Sequence, residues 1–230
     1  MSRLSYYQEY AEMAIEDLAE RDAKNRYVLV DALKHLDIKR VLDIGCGAGQ
    51  ELLPFVESKN TYGVGIDIGE ELGKVAPKLA RQTNSSDKLG FCRSQGEELP
   101  FKDESFDVVL CRVALPYMDN KKAIAEIARV LSPNGAFLLK THALPFYFGM
   151  LRERAKTLSP KQLAYPIICL VAGAWHSFTG TQLKNGIWSG KEIFQTKNFL
   201  TKELAKHGMI IESKLPDTNR KTPSFLILKK

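Results

Sequence analysis

An apolar run in the first quarter of the chain ends in a loop with glycine at every second position. Residues 41–50 read VLDIGCGAGQ, so that the apolar run precedes Gly45, Gly47 and Gly49. A strand that leads into such a loop and then into a helix is how an α/β sheet presents bare backbone amides to a cofactor. The stretch therefore predicts a cofactor site at the carboxyl end of a strand.

Strand-like and helix-like segments alternate after about residue 40. The strand patterns are RVLDIG, TYGVGID, LGFCRS, FDVVLC, GAFLLKT, MIIESKL and SFLILKK, and the helical patterns are ELLPFVES, EELGKVAPKLARQ, DNKKAIAEIARVLS and KNFLTKELAKHG. Asp119 or Asn120 is predicted to cap the third of these helices, and the turn-forming residues 132–135, SPNG, are predicted to end it. The alternation predicts βαβ units and a parallel sheet that is covered on both faces.

Two segments of the predicted single domain, residues 1–230, depart from this alternation. Residues 1–37 are predicted to form N-terminal helices. Residues 142–196 form an insertion that is too long for an ordinary connection between a strand and a helix. Within the insertion, residues 163–175 (LAYPIICLVAGAW) are strongly apolar but span only about half the length of a membrane-crossing helix. They predict a buried helix or a segment that lies on a membrane surface.

Composition is that of an ordinary globular chain. The 230 residues suit one domain, and 44% hydrophobic with 26% charged residues is far from the disordered regime. The net charge is +6, but the basic residues are scattered along the chain in short pairs at most, without a basic run interleaved with aromatics, which argues against a nucleic-acid partner. The four cysteines lack C-x-x-C spacing, so we expect reduced thiols in a cytoplasmic protein and no metal. Acidic residues throughout the first 20 positions argue against a secretory signal.

The glycine spacing separates two classes of cofactor. Dinucleotide-binding folds require G-x-G-x-x-G, whereas here Gln50 stands where the third glycine would fall. Asp43 also puts a carboxylate at the end of the strand, where it would repel a pyrophosphate and attract an aminoacyl cation. An NAD-dependent dehydrogenase is therefore disfavoured.

The order of motifs extends beyond the glycine loop. D-I-G-C-G-A-G resembles the first motif of the class I S-adenosylmethionine-dependent methyltransferases, and GVGIDI, SQGEELPF, SFDVVLCRVALPYM and AIAEIARVLSPNGAFLL come after it in the order typical of the small-molecule branch. The resemblance covers about residues 41–140. It implies a doubly wound, mostly parallel, seven-stranded Rossmann-like sheet with an antiparallel last strand and a helical insertion after the fifth strand. It also implies S-adenosylmethionine as the cofactor.

Individual residues have predicted tasks at that cofactor. Asp67 lies 22 residues beyond Gly45, close to the separation at which an acid reaches ribose hydroxyls. The resemblance implies that the segment beginning at Gln95 holds the adenine edge, although many members have Asp there, and that Cys111 offers its carbonyl to the methionine amino group. The predicted cofactor-binding residues are Asp43, Gly45, Cys46, Gly47, Gly49, Asp67, Ile68, Gln95, Gly96, Glu97, Cys111 and Arg112.

The residues after the fourth and fifth strands indicate the class of acceptor. C-R-V-A-L-P-Y replaces the N-P-P-Y-type loop of many family members that methylate amino groups in nucleic acids, which favours a small-molecule acceptor. The insertion is rich in aromatics, so it is predicted to form a lid over an apolar or aromatic acceptor, or else to complete a core. His142, directly after the fifth strand, is the predicted general base, with Tyr147 as a second catalytic candidate. A cofactor-binding assembly or regulatory protein without transferase activity stays open as the alternative.

Overall fold

The computed structural model describes residues 27–58, 60–69, 80–81, 83–156 and 159–230. The predicted N-terminal helices up to residue 26, and residues 70–79 of the predicted helix that precedes the third strand, lie outside the described residues. The described part of the N-terminal region contains a short helix, α1 (Val28–Ala32), which buries Leu29 and Val30.

Seven strands form one sheet in the order β3-β2-β1-β4-β5-β7-β6. Their bounds are β1 Arg40–Ile44, β2 Tyr62–Asp67, β3 Leu89–Arg93, β4 Phe106–Arg112, β5 Leu131–Lys140, β6 Met209–Lys214 and β7 Ser224–Lys229. The first five strands pair in parallel, and β7 runs antiparallel to both β5 and β6. The predicted seven-stranded, mostly parallel sheet with an antiparallel last strand is therefore confirmed.

Helices cover both faces of the sheet. Within the described ranges they are α1, α2 Leu53–Ser58, α3 Asn120–Val130, α4 Leu144–Ala155, α5 Pro160–Thr179 and α6 Lys197–Ala205, with short 3-10 turns at Leu115–Tyr117 and Gly186–Trp188. Successive side chains of a strand point to opposite faces. Leu42 therefore joins the buried cluster that contains Ile124 of α3, whereas Val41 joins the cluster that contains Phe55 of α2. Neighbouring apolar residues in β1 therefore result from burial on both faces of the sheet.

Helix α3 begins as predicted but ends early. The Asp119 carboxylate accepts a hydrogen bond from the Lys122 N–H at 3.3 Å, which is the expected N-cap. The helix ends at Val130, and the segment SPNG lies within the bounds of β5, where the register against β4 shifts. Asn134 adopts a φ of +62°, a conformation that asparagine tolerates better than most residues. The segment SPNG, which was predicted to end this helix with a turn, therefore forms an irregular part of strand β5.

The insertion forms two helices, α4 and α5, and a small core of its own. Tyr147, Cys169 and Phe194 are buried together. Gly173 permits this packing, because a Cβ at that position would lie 2.3 Å from the Phe194 ring. Helix α5 buries the face that includes Cys169 and Gly173. The opposite face is exposed, so the expectation of a buried helix holds for one side only.

A buried polar chain ties the end of the insertion to the sheet. The Thr141 hydroxyl, just after β5, donates to the Gln195 side-chain carbonyl. The Gln195 amide in turn donates to the Asn120 side-chain oxygen at 3.0 Å, and all three residues are buried. Buried polar groups that satisfy one another fix a single arrangement. The insertion is therefore anchored where α3 begins and where β5 ends.

Candidate active site

The glycine loop, residues 45–49, adopts backbone conformations that only glycine enters easily. Gly45, Gly47 and Gly49 have φ angles of +73°, +53° and +82°. A Cβ at Gly45 would lie 2.3 Å from the Cβ of Ala114, and a Cβ at Gly49 would lie 2.6 Å from the Phe91 ring. Close contacts with the protein's own side chains therefore require glycine at two of these three positions, and their predicted role at a cofactor stays a prediction.

The end of β2 holds the glycine loop in place. The Cys46 N–H donates to the Ile66 carbonyl at 3.0 Å, and the Gly47 N–H donates to one carboxylate oxygen of Asp67 at 3.0 Å. The other Asp67 oxygen accepts from the Gly69 N–H at 2.9 Å. A carboxylate oxygen can accept a second hydrogen bond. The structure therefore brings two predicted site residues, Gly47 and Asp67, into direct contact.

Asp43, on β1 just before the loop, is a buried carboxyl group with an unmet hydrogen bond. Only 1% of the residue is exposed, and its Oδ1 atom has no hydrogen-bond partner among the described residues. Burial, helped by the nearby charge of Glu51, raises the pKa of Asp43 well above its usual range, and Arg112 opposes that rise. A buried acceptor without a donor is costly. A cationic ligand at this point would relieve that cost.

Two predicted site residues are cysteines that stay protonated. Burial raises the pKa of the Cys46 thiol, and it raises the pKa of the Cys111 thiol to about 12. A thiol acts as a nucleophile only when it ionises. Cys46 and Cys111 can therefore serve the site only through their backbone groups and their small size.

The predicted adenine-binding residues come after β2 and β3. Ile68 is exposed directly after Asp67, Gln95 is exposed, and Gly96 is buried. The Glu97 carboxylate accepts the backbone N–H of Asp119 at 2.8 Å, so its side chain joins this loop to the start of α3. Glu97 is thus engaged within the protein, whereas the apolar surface of Ile68 faces outward.

Arg112 belongs to an ion-paired cluster at the carboxyl ends of β4 and β5. Its guanidinium donates to the Ser224 hydroxyl at 2.8 Å and to the Asp217 carboxylate. Lys140 also donates to Asp217, at 2.8 Å. Burial opposes ionisation of Asp217, but Arg112 and Lys140 outweigh it and hold the pKa of that carboxyl below its usual range. Arg112 is therefore held in place by partners from β7 and the loop before it.

The predicted base, His142, lies in a buried cluster around Glu192. The His142 Nδ1 atom is 2.7 Å from one Glu192 oxygen, which also accepts the Tyr147 hydroxyl at 3.0 Å. The Tyr165 hydroxyl donates to the other oxygen at 2.6 Å, and the His142 ring stacks on Phe146 with ring centroids 3.7 Å apart. The structure thus brings both predicted catalytic residues to one carboxylate.

The protonation states within the Glu192 cluster are set by its hydrogen bonds. Burial opposes ionisation of Glu192, yet the hydrogen bonds from His142 and Tyr165 hold its pKa below the usual range. Burial and the Glu192 charge raise the pKa of both the Tyr147 and Tyr165 hydroxyls. Glu192 is therefore a buried anion, and Tyr147 donates a hydrogen bond to it rather than acting as a base.

The remaining aromatics of the insertion divide between interior and surface. Phe148, Trp175 and Phe178 are exposed, whereas His176 is buried against Phe199, with burial lowering the pKa of its imidazole. Among the described residues, no group of three or more His, Cys, Asp or Glu side chains is placed to hold a metal ion. None of the described helices has the length and apolarity needed to cross a membrane.

Sequence reasoning missed Glu192 and Asp217, the two carboxylates that organise the outer part of the site. Glu192 lies 50 residues from His142 and Asp217 lies 105 residues from Arg112, so no local pattern joins them. One signal was available, since Glu192 is an acidic residue beside the apolar pair Ile193 and Phe194 in an otherwise basic segment. An acid in such a place is usually paired.

A family model described as a methyltransferase domain matches residues 42–139, which contain the glycine loop, Asp67 and Arg112. This methyltransferase domain, together with the relatives and structural neighbours, supports a class I S-adenosylmethionine-dependent methyltransferase. The seven-stranded sheet, with β4 at the centre and β7 antiparallel, belongs to a fold that is shared with solved structures. The PH0226 protein of Pyrococcus horikoshii superposes with a TM-score of 0.62 at 19% identity, over 93% of this chain and 94% of that one.

Two curated relatives that the chain matches are named as methyltransferases. The uncharacterized methyltransferase YcgJ of Bacillus subtilis is 41% identical over 107 residues, which is 46% of this chain and 42% of YcgJ. A fatty-acid O-methyltransferase of Mycolicibacterium smegmatis is 33% identical over 165 residues, which is 68% of this chain and 58% of that enzyme. The chain spans about half the length of the curated relatives it matches.

Proposed function

We propose that this protein transfers the methyl group of S-adenosylmethionine to an apolar small-molecule acceptor. The observation that carries the proposal is the buried Asp43 carboxyl, whose unpartnered oxygen lies beside a glycine loop that is itself bonded to Asp67. Family membership and the similarity to a relative named as a fatty-acid O-methyltransferase support it.

The residues fit the parts of that cofactor. Asp43 would attract the aminoacyl cation, and Asp67, with acceptor capacity left on both oxygens, would take the ribose hydroxyls. Ile68 would lie against the adenine ring. The remaining contacts are proposed for Gly45, Cys46, Gly47, Gly49, Gln95, Gly96, Glu97, Cys111 and Arg112. When bound, the cofactor supplies an electrophilic methyl group on a sulfonium.

His142 is proposed as the proton acceptor for the acceptor molecule. Because Glu192 is an ionised acceptor, Nδ1 of His142 carries the hydrogen in the 2.7 Å contact. A neutral imidazole in that tautomer keeps a lone pair on Nε2, which is the state that a general base requires. Tyr147 and Tyr165 hold the same carboxylate and so fix the direction of the ring. Tyr147 is thus proposed as a positioning residue.

The insertion is proposed to enclose the acceptor. It leaves the sheet directly after β5, at the carboxyl edge where ligands bind in such folds. The stacked Phe146 and His142 rings supply an apolar wall beside the proposed base. A wall of this kind suits an apolar acceptor and excludes water from methyl transfer.

Cofactor binding and methyl transfer should be measured separately. Isothermal titration with S-adenosylmethionine tests the first, and transfer of a tritiated methyl group to a panel of fatty acids and aromatic hydroxy compounds tests the second. We expect His142→Ala to keep cofactor binding and lose transfer, whereas His35→Ala, at an exposed position outside the site, changes neither. Binding without transfer to any acceptor would instead support a non-catalytic assembly or regulatory role.

A further inference from the structure

Nearly all of the chain's net positive charge lies in one stretch of the insertion. Residues 144–191 contain six basic residues and one acidic residue, which amounts to +5 of the chain's net +6. The exposed basic residues of this stretch are Arg152, Lys156, Lys161 and Lys184. A net charge concentrated in this way gives the exposed surface of the stretch a positive potential.

The same stretch carries an exposed apolar ridge. Ile167, Val171, Trp175 and Phe178 of α5 are 47%, 49%, 48% and 91% exposed. Their spacing of four, four and three residues places them on one side of the helix. Exposed apolar residues also occur on the neighbouring α4 and in the loop after α5, namely Leu144, Phe148 and Ile187. Exposed apolar side chains that line one side of a helix in this way indicate an interaction site.

We propose that residues 144–191 dock onto an anionic lipid surface. Trp and Phe side chains flanked by Lys and Arg are the composition of segments that lie in the membrane interface, with the rings at headgroup depth and the cations against phosphate. Each basic residue near such a surface adds to the electrostatic attraction. No described helix can cross a membrane, so the ridge would lie along the surface.

Charge argues against a second copy of this chain as the occupant of the ridge. A two-fold dimer would pair the same patch with itself. It would therefore bring two segments of net charge +5 together. Like charges at an interface oppose association, whereas an anionic surface complements them. The proposal concerns the outer face of α5 and does not depend on methyl transfer.

Flotation of the full chain with vesicles tests the proposal. We expect the protein to float with phosphatidylcholine vesicles that contain phosphatidylglycerol, and to stay behind with phosphatidylcholine alone. Replacing both Trp175 and Phe178 by Ser should reduce partition at least about tenfold, because the variant loses most of the insertable aromatic area. Tyr62→Ser, which removes a 56% exposed aromatic at the amino edge of the sheet, should float like the parent.

Charge reversal separates electrostatic attraction from insertion. Arg152→Glu combined with Lys161→Glu should abolish flotation with the anionic vesicles. The matched pair Lys197→Glu and Lys202→Glu makes the same charge change on exposed positions of α6. A larger fraction of this control should still float with the anionic vesicles. All variants should unfold at the parental temperature. Equal losses from both pairs would show a non-specific charge effect and overturn the assignment of this surface.

Photo-crosslinking identifies the occupant directly. Benzoylphenylalanine introduced at position 178 should crosslink to lipid when anionic vesicles are present. Crosslinks to a second copy of the chain, or to residues 1–26 of the same chain, would show that protein covers the ridge and would overturn the proposal. Failure of the folded parent to float with either vesicle would overturn it as well.

Discussion

Two carboxyl groups in this protein, those of Asp43 and Glu192, are both buried and are in opposite states. Asp43 has an oxygen without a partner among the described residues, and burial raises its pKa. Glu192 accepts hydrogen bonds from an imidazole and two phenols, which hold its pKa below the usual range. One group is left unsatisfied beside the glycine loop, and the other is satisfied within the insertion.

This difference separates binding from positioning. A buried polar group whose hydrogen-bond partners all come from the protein holds those partners in place, as Glu192 does for His142. A buried polar group without a hydrogen-bond partner destabilises the protein unless a complementary ligand binds to it. We therefore propose that Glu192 positions its neighbours and that Asp43 recognises the cofactor.

The largest effect is expected when the satisfied carboxylate is removed. Glu192→Ala should lower the free energy of unfolding by about 3–5 kcal/mol, because it breaks a buried charged network and leaves its donors without an acceptor. Glu212→Ala, at an exposed position of β6, should be close to the parent. Urea denaturation measures both, and a Glu192→Ala protein as stable as the Glu212→Ala control would refute the network.

The network also predicts a pH dependence. Because the folded-state pKa of Glu192 lies below its usual value of about 4.5, its stabilisation is complete above that value and is lost as the pH falls through the folded-state pKa. The stability difference between the parent and Glu192→Gln should therefore shrink in acid. Denaturation curves at neutral and acidic pH measure it, and a difference that stays constant would contradict the lowered pKa.

The glycine loop should show a smaller but still large effect on stability. Gly49→Val should cost about 2–4 kcal/mol, because it combines a left-handed backbone with a Cβ placed 2.6 Å from the Phe91 ring. Gly90→Val is the matched control in β3, where a Cβ meets nothing within 4 Å. If both variants unfold at the same urea concentration, the loop does not have the geometry described.

Loss of Asp67 should act on ligand affinity. Asp67→Ala is expected to weaken S-adenosylmethionine binding by about 1.5–3 kcal/mol, the range for hydrogen bonds to a charged group. Part of this loss would come from the Gly47 and Gly69 N–H groups, which lose their acceptor. Titration calorimetry of a folded Asp67→Ala protein measures it, and unchanged affinity would remove Asp67 from the cofactor site.

The sequence predicted the glycine-loop side of the molecule far better than the insertion. All seven strands were found, because each is a short apolar run flanked by turn-forming or charged residues, and the Asp119 cap is a local signal. Glu192 and Asp217 were missed, because their partners are distant in sequence and only the folded chain brings them together. For α5 the sequence left open a buried helix or a segment on a membrane surface, since strong overall apolarity hides which side is buried.

Calorimetric titration of the parent and of Asp43→Asn tests whether the buried carboxyl beside the glycine loop recognises the cofactor. We expect the parent to bind S-adenosylmethionine and not NAD. Asp43→Asn should bind S-adenosylmethionine at least about tenfold, or 1.4 kcal/mol, more weakly than the parent. Without ligand, the variant should be at least as stable as the parent at neutral pH. Because the folded-state pKa of Asp43 is raised, this carboxyl destabilises the folded parent as the pH rises, and the Asn side chain does not. Equal affinity of the two proteins for S-adenosylmethionine, or no binding by the parent, would contradict a role of Asp43 in recognising the cofactor.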